Sequence, residues 1–130
     1  MPPRAGRDQR GAAVVDFVLV TVVLVPLFLG ILQLALVLHV RNTLTSAASE
    51  GARYAATSDR GPADGVAKAR EQIVGVLGPS YDDRIDAKAI DIDGAAGVEV
   101  VITATVPALG LGGPSVDLTV RGTAIEEIAP

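Results

Sequence analysis

The residues that could do chemistry in this chain are few and scattered. There is one histidine, His39, and no cysteine, so neither a thiolate metal site nor a Cys nucleophile can be built, and no second imidazole completes a zinc site. His39 lies at the end of a long apolar run, a poor place for the base of a Ser-His-Asp triad and an ordinary one for a residue at a membrane interface. Aspartates gather at Asp82, Asp83, Asp86, Asp91 and Asp93. A calcium loop needs oxygens at alternating positions, a glycine and a closing glutamate. Asp91-Ile92-Asp93-Gly94 offers two oxygens and then Ala95-Ala96-Gly97, which reads better as a solvated turn. Gly110-Leu111-Gly112-Gly113 lacks the lysine and the strand-to-helix setting of a phosphate loop. The remaining candidate is Asp16, a carboxylate one position before an uncharged apolar stretch. An acid at a hydrocarbon edge is costly unless it snorkels to the headgroups or finds a cation.

The element that positions Asp16 dominates the composition. Hydrophobic residues make up 49% of the 130, concentrated between Ala12 and Val40. Phe17 to Leu38 carries no charge and only Thr21 and Gln33 as polar interruptions. About 20 apolar residues span a bilayer as a helix. A core helix of a soluble protein rarely stays apolar all round for this length, and a signal-peptide core is shorter. Pro26 removes one backbone donor and predicts a kink or a local loosening. Arg4, Arg7 and Arg10 precede the run and Arg41 stands nearly alone after it, which predicts a cytoplasmic N-terminus.

Beyond the run, Leu44, Ala47, Ala48, Gly51, Ala52 and Ala55 recur at helical spacing on one small-residue face. Small residues let helices approach closely, either within the chain's own domain or between sister subunits. One helix from Ala12 to about Thr57 is expected, ended by Ser58-Asp59-Arg60-Gly61-Pro62. A second, from Ala63 or Asp64 to Leu77, carries the stripe Val66, Ala69, Ile73, Val76 and Leu77. Three alternating strands follow: Lys88 to Asp93 with Ile90 and Ile92 inward, Val98 to Val106, and one marked by Val116, Leu118 and Val120. The expected fold class is α+β: a long transmembrane and stalk helix, a short helix, and a three-stranded, mostly antiparallel sheet covered on one side. The boundaries are a basic leader at 1–11, a membrane helix at 12–40, a helical stalk at 41–58 and a small domain at 59–130. Net charge is −4 and aromatics are 3%, which leaves no basic stripe or stacking platform for nucleic acid.

The junction Arg10-Gly11-Ala12, an acid five residues after the glycine at Asp16, and the aromatic Phe17 resemble the type IV prepilin layout. Leu24-Val25-Pro26-Leu27-Phe28-Leu29-Gly30-Ile31, Val40-Arg41-Asn42 and Ala47-Ala48-Ser49-Glu50-Gly51-Ala52-Arg53-Tyr54-Ala55 are similar to TadE, a pilin-like component of tight-adherence (Flp) pilus machinery. The resemblance covers roughly residues 8 to 57 and implies a pilin-like fold. Its motif positions are Phe17, Pro26, Glu50, Gly51, Arg53 and Tyr54. It implies cleavage by a prepilin peptidase between Gly11 and Ala12, and a bacterial inner-membrane location with the domain extracytoplasmic. Partners would be other pilin-like subunits and the pilus or secretion machinery. No enzyme activity, cofactor or small-molecule substrate is implied. Asp16 stands where the family has Glu, one methylene shorter. In an assembling bundle it would face the new amine of a neighbour's Ala12. An uncleaved single-pass anchor presenting a scaffold domain to an envelope partner is the alternative.

Overall fold

The structure, a computed structural model, describes residues 5–79, 84–108 and 115–127, with side chains from Asp8 onward. It is an α+β arrangement in the order α1 (Ala5–Ala55), α2 (Pro62–Leu77), β1 (Arg84–Ile92), β2 (Ala95–Val106) and β3 (Val116–Ile125). Helix α1 begins upstream of the expected Ala12. Residues 5–11 carry Ala, Arg and Gln, which favour helix, with Asp8 in the first turn to complement the helix dipole. At about 1.5 Å per residue, α1 is about 76 Å long, and it runs on through Pro26.

Helix α2 starts where Pro62 takes the first helical position, which needs no donor. The Asp64 carboxylate accepts the Gly61 N–H at 2.9 Å. The helix stops at Gly78, whose φ of 85° only glycine adopts cheaply and whose N–H donates to the Val74 carbonyl. Gly75, inside α2, faces open space. Gly75→Ala is therefore expected to raise stability by about 1 kcal/mol through helix propensity alone, read as a shift in the unfolding midpoint.

The sheet has the order β1-β2-β3 with both pairings antiparallel. Asp93 and Gly94 both have positive φ, 51° and 89°, as a two-residue type I′ hairpin turn requires. Directly paired residues share a face. Val98, Val100, Ile102, Ala104 and Val106 point into the core, opposite Ala124, Gly122, Val120, Leu118 and Val116 of β3. In β1 the same register puts Ile85 and Ala87 on the core side, opposite Ile102 and Val100. Ile90 and Ile92 pair with Gly97 and Ala95, so they lie on the opposite face, contrary to the expectation from alternation. Ile92 covers Gly97, where a Cβ would stand 2.8 Å from its Cδ1.

Helices α1 and α2 cover the core face. Leu44, Ile73, Val40, Val98, Val100, Ile102 and Val106 are fully buried between the layers. The opposite face is polar at its centre, where Glu99 sits between Lys88 (3.6 Å) and Arg121 (3.8 Å). Thr105 donates to Asp117 across the strands at 2.8 Å.

Candidate functional site

Two surfaces of α1 matter, and they divide it in length. From Val14 to Leu32 the large apolar side chains other than the half-buried Leu29 are exposed, Val23 at 69% and Phe17 at 72%. The most apolar 18-residue window has mean hydropathy 2.7 and none of it is buried in the protein. A soluble core helix would bury that surface, so this segment has the length and composition of a membrane span. Thr21, polar within it, donates its hydroxyl to the Phe17 carbonyl at 2.7 Å. Pro26 has no N–H, so the Val22 carbonyl lacks its usual helical donor. Gly11, Ala12 and Asp16 are all exposed and lie on unbroken helix. Asp16 is four residues after Ala12, so the two share a face one turn apart.

The second surface begins lower on α1 than the expected boundary at 40. Gln33 donates its side-chain amide to the Pro107 carbonyl at 3.2 Å, and Leu36, Val37 and Val40 already pack on the domain core. Further along, Leu44, Ala47, Ala48, Ala52 and Ala55 are wholly buried. The small-residue face is thus covered inside the chain, by α2 and the sheet.

Glycine sets how closely. A Cβ on Gly51 would meet the Gly65 carbonyl at 2.7 Å, and one on Gly65 would meet the Gly51 carbonyl at 2.8 Å. The two helices therefore cross backbone to backbone. A Cβ on Gly122 would stand 2.3–2.5 Å from the Ala48–Ser49 peptide, so α1 rests directly on β3. Gly65 and Gly122 were not singled out by sequence reasoning. Gly122 had a signal, a glycine interrupting the alternating row Leu118, Val120 and Ala124 of a strand, which marks close backbone approach; Gly65 precedes the stripe of α2 and carried none.

The other motif residues point elsewhere. Glu50 and Arg53 are exposed. Glu50 borders a shallow groove with Lys68, Glu71 and Gln72. Tyr54 is half-buried, with the Arg60 guanidinium 3.9 Å above its ring and the Lys68 amine at 5.6 Å. A cation over an aromatic face adds about 0.5–1 kcal/mol at exposed sites. Both cations come from outside the motif, from the turn and from α2. Asp91 accepts the Gly94 N–H at 2.7 Å, so its carboxylate serves the hairpin turn. Asp82, Asp83 and the 110–113 glycines lie outside the described residues. Among the described residues no group of three His, Cys, Asp or Glu side chains comes together as a metal site.

Fold and surfaces together define a small α+β domain built on one N-terminal apolar helix of membrane-anchor length. Residues 11–53 match the family model described as TadE-like protein, so that stretch of the chain is similar to TadE-like proteins. No curated protein and no solved structure matches the chain. The matched stretch takes in both surfaces of α1 and stops before α2 and the sheet.

Proposed function

We propose that the protein is a minor-pilin or pseudopilin-like subunit that takes part in assembling a tight-adherence (Flp, type IV-like) pilus or a related surface-export apparatus. The observation that carries this reading is the TadE-like match over residues 11–53 on a helix whose apolar segment stands free of its own domain. Such a helix is free to sit in lipid and then to pack against sister helices. The basic leader orients it with residues 1–11 in the cytoplasm and the domain outside. A prepilin peptidase cuts between Gly11 and Ala12, and the new amine is held by Asp16 of a neighbouring subunit. Two opposite charges at the hydrocarbon edge offset each other's desolvation and set axial register.

Gly11 lies within α1, so cleavage requires the helix to unwind there first. Glycine lowers that cost by about 1 kcal/mol relative to alanine. The same continuity favours the second reading, an uncleaved anchor that presents its domain to an envelope partner. Intact mass of the protein, expressed with and without the peptidase, separates the two. The expected result is a chain beginning at Ala12 only when the peptidase is present. A chain that keeps Gly11 in both hosts leaves the anchored scaffold as the account. Asp16→Ala is expected to leave the domain folded, since Asp16 is exposed and distant from the core, but to abolish incorporation into the assembly. Unchanged assembly would remove the charge pair.

A further inference from the structure

We infer that the end of the sheet bearing Pro107 and Ala108 rests on the membrane surface, so that the domain stands on the lipid headgroups of the bilayer its own helix crosses. The inference builds on the membrane-anchor reading above. It starts from the Gln33–Pro107 hydrogen bond of 3.2 Å, which fixes the end of β2 to a residue inside the apolar run. The domain therefore covers one side of the run by Gln33, while Leu34 and Leu38 on the other side stay exposed. Counted from Asp16 at the hydrocarbon edge, residues 17–32 rise about 24 Å as a helix at about 1.5 Å per residue, and the hydrocarbon core is about 30 Å thick. The helix left clear of the domain is no longer than the crossing requires, with nothing over to lift the domain away from the lipid.

The residues at that end suit the place. Val106 pairs with Val116, so the end of β2 and the start of β3 lie side by side. Val106, Pro107, Ala108, Ser115 and Val116 carry no charge, and the first charge up β3 is Asp117, already held by Thr105. Pro107 is exposed and its carbonyl is met by the Gln33 amide. That contact satisfies a polar side chain and a strand-end carbonyl at the depth where water runs out, where an unmet group is costly. At the far end, the Gly61-Pro62 start of α2 and the Asp93-Gly94 turn lie among exposed polar and charged residues.

The chain has no tryptophan, so an introduced one reports alone. Three variants of the full chain in phosphatidylcholine and phosphatidylglycerol vesicles carry the test: Phe28→Trp in the span, Ala108→Trp at the sheet end, and Ala63→Trp at the far end. The probe is phospholipid brominated either near the headgroup or deep in the acyl chain. Expected is loss of most Phe28→Trp emission to the deep label and of most Ala108→Trp emission to the shallow one, with Ala63→Trp unchanged. Ala108→Trp behaving like Ala63→Trp, while Phe28→Trp is still quenched, overturns the inference and leaves the anchor standing. No quenching at any position overturns both. Quenching of Ala63→Trp as well would mean a domain lying flat and would also overturn the upright placement. Should Ala108→Trp fail to fold, the exposed Pro107→Trp answers the same question.

Discussion

Gly122→Ala is expected to cost the domain about 3 kcal/mol or more, at or above the upper end of what overpacking usually does. The added methyl would sit 2.3 Å from the Ala48 carbonyl carbon and 2.4 Å from the Ser49 nitrogen. Both are backbone atoms in a helix interior, so no side chain can rotate aside. Either α1 lifts off β3 or the strand bends away from Val100, its partner in β2. Lifting α1 uncovers the buried row Val40, Leu44, Ala47 and Ala48 that it holds against the sheet. A domain this small has a stability of only a few kcal/mol, so the variant would be largely unfolded outside the membrane. Loss of hydrogen-exchange protection at the β2 amides in the full-length protein measures it. Protection equal to the wild type would show that α1 and β3 do not meet this closely.

The second large effect is expected at Gly51, inside the Glu-Gly-Ala-Arg-Tyr-Ala stretch. Gly51→Val would push a branched side chain into the Gly65 carbonyl and the Ala69 methyl, at 2.7 and 3.1 Å from the first carbon alone. A loss of about 3 kcal/mol follows, seen as a lowered urea midpoint with an unchanged slope. Arg53→Ala, two residues on, alters an exposed side chain and is expected to stay within about 0.5 kcal/mol of the wild type. The pair separates two roles within one motif. Gly51 sets the distance between helices of the same chain, whereas Arg53 leaves the fold alone and is free for a partner. If Arg53→Ala destabilised as much as Gly51→Val, the motif would be structural throughout.

Sequence periodicity carried much of the architecture because the strongest signals were local. Val98 to Val106 alternates without a break, and an uncharged run of this length has few other uses than crossing a membrane. The errors came where a signal was relative. In β1 the core row is Ile85 and Ala87, partly small, while the large Ile90 and Ile92 sit over Gly97 on the other face. Alternation gives two faces and does not say which is inward; only the pairing partner decides. The small-residue face of α1 was legible as a close-packing surface, but its occupant was not. That depended on Gly65 and Gly122, far along the chain, meeting it in space. The domain's foothold at Gln33 was illegible for the same reason: a polar residue in an apolar run announces a partner without naming Pro107.

The attachments between α1 and the rest of the domain also have an order along the helix. Gln33 meets Pro107, Ala48 meets Gly122, and the Ala56 carbonyl accepts the Glu127 N–H at 2.8 Å, with Ser58 donating to the Glu127 carboxylate nearby. Pro107 follows Val106, which pairs with Val116 at the start of β3, Gly122 is within β3 and Glu127 lies just past its end, so the contacts advance along helix and strand together and the two run alongside one another. A tensile force applied along the helix axis would therefore load these attachments in shear, all at once. It would not peel them from one end in sequence. Bonds loaded side by side share the force and fail together, so this joint resists an axial pull far better than a sideways one. That is the mechanical property a subunit needs if it is drawn out of a membrane by its anchor.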